Sequence, residues 1–416
     1  MDKKLLILGG TRISLQILDA AKKMGLKVYV ADYNEDSPCK AKADNSFMTS
    51  ATDVDNIVKL VHDENIDGVL MGYADVLLDS YVDICNKAGL PCYATHEAID
   101  ITANKRKFKD YCRLHGVPVV KEYTYADVIS GKAIFPLIVK PVDNSGARGI
   151  YVCKSLEDFK DKYEKSLNFS PSKSVLIERK MTSGEATIFY YLHDGETYLL
   201  GVADRWMYEQ NGNLIKLPVG YTFPSKSVDL FLQNQNYAIV SMFKDLNMRE
   251  GMVFMQCFNE NGKYVVYEMG YRLTGSIEHH LMEAQYGFNH LKAIINFAVG
   301  NKVDTSSLPK INPSECCMAN VSMLLNKGRI KKYEGLDTIA AMPGVVSHHI
   351  SHTEGEEITD SNIGRLSQLG LRVLLTAPDR KTLLERMDMV KDSVSATDDN
   401  GSEMFIKDYS YASLCH

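Results

Sequence analysis

Short apolar runs alternating with amphipathic stretches open this chain. The segment K-K-L-L-I-L-G-G reads as a buried strand, Ser14 to Met24 as an amphipathic helix stopped by Gly25, and L-K-V-Y-V-A-D as a second strand. The next unit is helical over N-I-V-K-L-V-H-D-E-N and strand-like over I-D-G-V-L-M, and a third runs through a helix from Leu77 to Ala88 into G-L-P-C-Y. Strands alternating with helices predict a parallel sheet with right-handed crossovers.

From Asn104 the pattern changes. N-K-R-K-F-K-D-Y-C-R-L-H-G predicts a basic amphipathic helix ending at Gly116, followed by a strand entered through Pro118. F-P-L-I-V-K-P-V-D-N-S-G-A-R-G-I-Y-V-C predicts a hairpin about a small glycine-containing loop, K-S-L-E-D-F-K-D-K-Y a helix, and V-L-I-E-R-K-M-T-S-G-E-A-T-I-F-Y-Y-L two strands about a bend at Gly184. A polar stretch with two prolines, Lys302 to Pro313, marks a boundary; beyond it the pattern alternates like antiparallel β, with a helix from Lys381 to Ser393.

A chain of 416 residues exceeds the size at which one core keeps growing, which predicts two to four domains. With 45% apolar and 24% charged residues it is globular in composition, and a net charge of −6 without basic blocks argues against nucleic acid as partner. The apolar run Leu5–Gly9 is too short for a signal segment or a membrane span, so the expectation is a cytoplasmic protein without membrane attachment. Nine cysteines without C-x-x-C or zinc spacing are expected to be reduced.

The candidate chemistry begins at V-V-Y-E-M-G-Y-R-L-T-G-S, where a β-rich segment delivers Glu268 and, four residues on, Arg272. A carboxylate can hold Mg²⁺ against phosphate oxygens, and an arginine can neutralise the charge that develops. Taken alone, E-x-x-x-R is more often a surface ion pair. Lys140, inside an apolar strand, is costly unless its charge meets an anion. Lys105 at a helix start, Glu178 and Glu185 complete the set. Gly9, Gly10 and Asp32 offer a weak dinucleotide signal, because the full G-x-G-x-x-G is missing. His348, His349 and His352 lack the helical spacing of a zinc protease. His279 and His280 with Glu278 and Glu283, and Asp204 and Arg205 beside Trp206, are secondary candidates for the same cleft.

In this order, the motifs resemble the ATP-grasp superfamily, in particular the carbamoyl phosphate synthetase large-subunit-like, biotin carboxylase-like and L-amino acid ligase proteins. The resemblance implies an α/β and α+β architecture: a Rossmann-like N-terminal domain with a parallel sheet (1–96), an ATP-grasp domain (97–304) with a mobile lid (about 117–181), and a C-terminal, mostly antiparallel β subdomain (305–416). It implies ATP and Mg²⁺, with Mn²⁺ as a substitute. Lys105, Lys140, Arg148 and the loop residues Ser145, Gly146 and Gly149 would contact phosphates. Glu178, Arg179 and Lys180 would meet the adenine and Glu185 the ribose. Gln256 and Glu268 would hold the metal, with Arg272 and Arg148 as catalytic cations. Gly270 departs from the family pattern E-x-N-P-R, where asparagine binds metal, which puts a two-metal arrangement in question. The implied activity is a carboxylate–amine ligase forming an amide or peptide-like bond through an acyl phosphate, acting on small molecules. The alternatives are a biotin carboxylase-like enzyme and a nucleotide-binding protein without turnover. The C-terminal stretch is left to complete an acceptor pocket or to build a homodimer.

Overall fold

The computed structural model describes residues 2–143, 149–209 and 216–411. Its first sheet is parallel, in the order β3-β2-β1-β4, from β1 (Lys4–Leu8), β2 (Lys27–Ala31), β3 (Asn45–Phe47) and β4 (Gly68–Met71). Leu5, Leu6, Ile7 and Leu8 are all fully buried, as expected of a strand covered on both faces, and each contributes about 2 kcal/mol by leaving water. Helices α1 (Leu15–Lys23), α2 (Val54–Asp63) and α3 (Leu78–Ala88) turn their apolar sides to this sheet. The strand expected at the end of the third unit, G-L-P-C-Y, does not form. Residues 90–93 are irregular, and the sheet's remaining strand is the short Asn45–Phe47, which carries no apolar run to announce it.

Helices α4 (His96–Ala103) and α5 (Lys105–Leu114) meet at Asn104, whose side chain caps α5 by accepting from the amides of Arg106 and Lys107. The expected strand after Pro118 reduces to a single parallel bridge, Val119 with Val266. A small four-stranded sheet follows, in the order β5-β8-β6-β7, from β5 (Glu122–Tyr123), β6 (Leu137–Pro141), β7 (Tyr151–Cys153) and β8 (Val175–Arg179). Helices α6 (Tyr125–Ile129) and α7 (Leu156–Phe169) belong to the same unit, which has its own small core around Leu137, Val139, Phe159 and Ile177.

The predicted bend at Gly184 turns out to be a change of sheet. β9 (Gly184–His193) leaves the small sheet and enters one of eight strands with β10 (Glu196–Glu209), β11 (Lys216–Phe223), β12 (Gly251–Glu260), β13 (Lys263–Gly270), β14 (Met318–Leu324), β16 (Val345–Ile350) and β18 (Leu369–Thr376). Their order is β13-β12-β9-β10-β11-β14-β18-β16. α8 (Val228–Asn234), α9 (Asn236–Asp245), α10 (His279–Tyr286) and α11 (His290–Ala298) carry buried apolar residues into the main core. β15 (Gly328–Glu334), β17 (Glu357–Ile358) and β19 (Ser395–Asp398) form a three-stranded sheet, while α12 (Leu336–Ala340) packs on β16 and α13 (Arg380–Ser393) on β14 and β18 of the large sheet. No helix among the described residues is long and apolar enough to cross a membrane.

Candidate active site

Residues directly opposite in an antiparallel ladder share a face. Gln256 lies opposite Glu268 on one side and Thr187 on the other, so an amide and a carboxylate stand side by side on one face of β12–β13. Glu268 is half-exposed, and the Lys105 ammonium reaches it from the first turn of α5 at 3.6 Å. The Lys105 amide donates to Val142 at 3.2 Å, tying this helix start to the end of β6. Mg²⁺ takes six oxygens and keeps waters readily, so the Glu268 carboxylate and the Gln256 amide oxygen fit it if phosphate oxygens and water supply the rest. Among the described residues no three His, Cys, Asp or Glu side chains converge to hold a metal.

Arg272 follows β13 directly. Its guanidinium grips Asp75 with two bonds of 2.6 and 2.8 Å, donates to the Leu273 carbonyl at 2.9 Å, and lies over the Phe254 ring at 5.2 Å. Phe254 is in turn the cross-strand partner of Gly270, and a Cβ at position 270 would meet its ring at 2.2 Å. An asparagine there and the ring under Arg272 exclude each other, which is the physical reason for the departure from E-x-N-P-R. The Tyr271 hydroxyl sits within reach of the Tyr93 and Glu250 carbonyls at 2.5 and 2.7 Å, fixing the backbone from which Arg272 projects.

The second cluster lies under the small sheet. Lys140 on β6 is buried and bonds Glu178 on β8 at 2.9 Å. Fully buried Lys109 from α5 also bonds Glu178, and it reaches Glu122 at 3.0 Å, where Arg113 makes a second contact at 3.0 Å. Burial pushes the Glu178 carboxyl up, but Lys140 and then Lys109 outweigh it and hold it below the usual range. Arg113 also pairs with Asp110 at 2.6 Å, so three cations face three carboxylates, and the Lys140 ammonium has three hydrogens, of which Glu178 needs one. Lys109 is absent from the residues expected above. Its signal was its place beside Phe108 and Cys112 on the apolar arc of α5.

Glu185 has its Oε2 engaged by Arg205 at 2.8 Å and by the Tyr267 hydroxyl at 2.9 Å. Arg179 pairs with Glu260 at 2.6 Å, while its amide donates to Lys121, and the Lys180 amide donates to Pro136. Gly149 has φ +78°, and a Cβ there would strike Phe169 at 2.6 Å. Ser145, Gly146 and Arg148 lie outside the described residues.

The secondary candidates have local partners. Asp32 accepts from the amides of Gly10 at 2.7 Å and Asn34 at 2.8 Å, so this carboxylate ties the turn after β1 to its own. Asp204 takes the Ser225 hydroxyl, the Lys226 amide and Arg380. His352 contacts Glu356 at 3.0 Å and the Ser367 carbonyl at 2.8 Å. His349 and His280 both face Gln16 of the N-terminal unit, at 3.4 and 3.1 Å.

Residues 105–306 match the family model of the carbamoyl-phosphate synthase L chain, ATP binding domain. The chain is 23% identical over 330 residues to the 2-oxoglutarate carboxylase small subunit of Hydrogenobacter thermophilus, covering 73% of this chain and 68% of that one. It is 25% identical over 181 residues to the formate-dependent phosphoribosylglycinamide formyltransferase of Prochlorococcus marinus, covering 42% of this chain and 46%, about half, of that relative. Its fold is also that of the L-amino acid ligase from Bacillus licheniformis, with a TM-score of 0.77 at 17% identity over 96% of this chain and 99% of the other.

Proposed function

We propose that this chain, an ATP-grasp protein, is an ATP-dependent carboxylate–amine ligase that forms an amide or peptide-like bond through an acyl phosphate and releases ADP and phosphate. The observation that carries this reading is the alignment of Gln256 and Glu268 on one face, with Lys105 against the carboxylate and Arg272 four residues on. Bound Mg²⁺ would draw charge from the phosphate oxygens during transfer to the substrate acid. Lys105 and Lys140 neutralise the nucleotide phosphates, and Ser145, Gly146, Arg148 and Gly149 are assigned to phosphate binding as the resemblance implies. Arg179 and Lys180, whose amides are spent on Lys121 and Pro136, offer their backbone carbonyls to the base. Arg272 faces the acyl phosphate and the oxyanion formed when the amine attacks, so its grip on Asp75 must be shared with, or yielded to, the substrate. No side-chain nucleophile is required. A cytoplasmic location and assembly as a homodimer belong to the same proposal.

Mg-dependent ADP release by the purified chain, with and without pooled small carboxylic acids and amines, tests the reading. Glu268→Gln removes the one carboxylate of the pair and is expected to lower turnover by about 100-fold or more, as for loss of a charge-stabilising group in a site of this kind. Undiminished ADP release by that variant would sink the proposed site. A second reading, carboxylation, is favoured by the match to a carboxylase subunit over most of the chain. Bicarbonate-dependent ADP release without any amine would select it.

A further inference from the structure

Glu178 on β8 carries two ammoniums on one oxygen: Lys140 on β6 bonds its Oε1 at 2.9 Å, and Lys109 on α5 bonds the same atom. All three side chains are buried. One ammonium is enough to neutralise a buried carboxylate, so the second is not needed for that purpose. The two lysines differ in how they are held. Lys109 is 0% exposed, and Glu178, the Glu122 carboxylate at 3.0 Å and the Val120 carbonyl at 3.3 Å take up its three hydrogens. It is saturated and walled in, with no hydrogen left for a ligand. Lys140 spends one hydrogen on Glu178. It stands two residues before Val142, whose carbonyl accepts from the Lys105 amide at 3.2 Å, so the two lysines assigned to phosphate lie at the same end of β6.

We propose that Lys109 is a positioning residue that frees Lys140 for the nucleotide: it stays on Glu178 as a permanent counter-ion, while the Lys140 ammonium exchanges Glu178 for a phosphate oxygen when ATP binds. With Lys109 in place, the departure of Lys140 leaves Glu178 paired. Without it, the same departure would strand a buried carboxylate, and Lys140 would be held on Glu178 as its only cation. Nucleotide affinity is then reduced by the free energy of pulling Lys140 away, because only the released state binds phosphate. Glu122 does not alter this, since Arg113 reaches it at 3.0 Å from the next turn of α5 and keeps it paired. This role rests on the assignment of Lys140 to the nucleotide phosphates, but not on which acid or amine is joined.

Calorimetry with MgADP and nuclear magnetic resonance titration with adenosine, both on the full chain, test it, because adenosine has no phosphate for Lys140 to meet. Lys109→Met, which keeps an apolar stem, is expected to weaken MgADP about 10- to 100-fold and to change adenosine affinity by less than about twofold. Loss of a purely structural residue would weaken both alike. In a Glu178→Gln chain nothing traps Lys140, so adding Lys109→Met there should change MgADP affinity by less than about twofold. That comparison buries no carboxylate at 178 and holds even if Lys109→Met alone fails to fold. Unaltered MgADP affinity in Lys109→Met, equal losses for MgADP and adenosine, or a full loss of MgADP affinity on adding Lys109→Met to Glu178→Gln would each overturn the proposal. Lys140→Met separates it from the reading beneath it. A loss of MgADP affinity there with none in Lys109→Met removes the role of Lys109 alone, whereas no loss in Lys140→Met removes Lys140 from the phosphates and the role of Lys109 with it.

Discussion

Gly270 and Phe254 act as one unit at the residue scale. The ring fills the space that any side chain at 270 would need, and its face supports the Arg272 guanidinium. Gly270→Asn therefore forces the ring out of place, at a cost of about 1–3 kcal/mol as for other overpacked sites, and loosens Arg272. Denaturant unfolding should show the loss. Phe254→Ala in the same chain should recover part of it, because the clash is then gone; a double variant less stable than the sum of the two singles would refute the account. Glu268, Arg272 and Lys140 were legible in the sequence because each breaks a local pattern: a charge at the end of a strand or within an apolar one. Asp75 was not, since its partner Arg272 lies 197 residues away. Lys109 was overlooked for the opposite reason, being one lysine among several on a basic helix, set apart by its place on the apolar arc with Phe108 and Cys112 and by its burial.

At the scale of elements, α10, α11 and β16 bring a set of neutral histidines together. His279 and His290 face each other edge to face at 5.8 Å. Burial pushes His290 down to about 3 and His349 to about 4, and holds His279 well below its ordinary value. Each folded-state value lies below the unfolded one near 6.5, so the unfolded chain binds more protons in between. Stability from these groups is intact above that value and falls as the pH drops through it toward about 4. Glu278 has the opposite sign: burial raises its carboxyl, so its contribution is lost as pH rises through the raised value. Three histidines outweigh one carboxyl. The urea midpoint should fall between about pH 7.5 and about pH 5, and His290→Gln should flatten that fall. An unchanged slope in the variant would contradict the assignment. Helices α1, α2, α3, α5, α7 and α13 were legible from their apolar periodicity, whereas α10, α11, β3 and the irregular 90–93 were not; a three-residue strand depends on its neighbours more than on its own composition.

Across the whole molecule, the polar stretch from Lys302 to Pro313 is a connection between strands of one sheet. β14 pairs with β11 through Gly220↔Val321 and Phe223↔Met318, and β18 and β16 continue outward from it. Trp206, Leu217 and Val219, all from before that stretch, share a core with Met387 and Tyr411 from after it, and the Tyr411 hydroxyl donates to the Val219 carbonyl. Composition reports where a chain crosses the surface, but a pairing between strands roughly a hundred residues apart is set by register and burial that no local window contains. The N-terminal unit is tied to the same region, since Arg12 pairs with Glu356 and Gln16 contacts His349. A chain ending at residue 304 would leave β11 as an unpaired edge and expose the apolar side of Trp206 and Leu217, two conditions that favour aggregation. It is expected to elute as aggregate in size-exclusion chromatography and to unfold without a cooperative transition, even though it keeps every residue assigned to the nucleotide. A monodisperse, cooperatively folding 1–304 chain would show that β14, β18 and β16 are an appendage to the rest of their sheet.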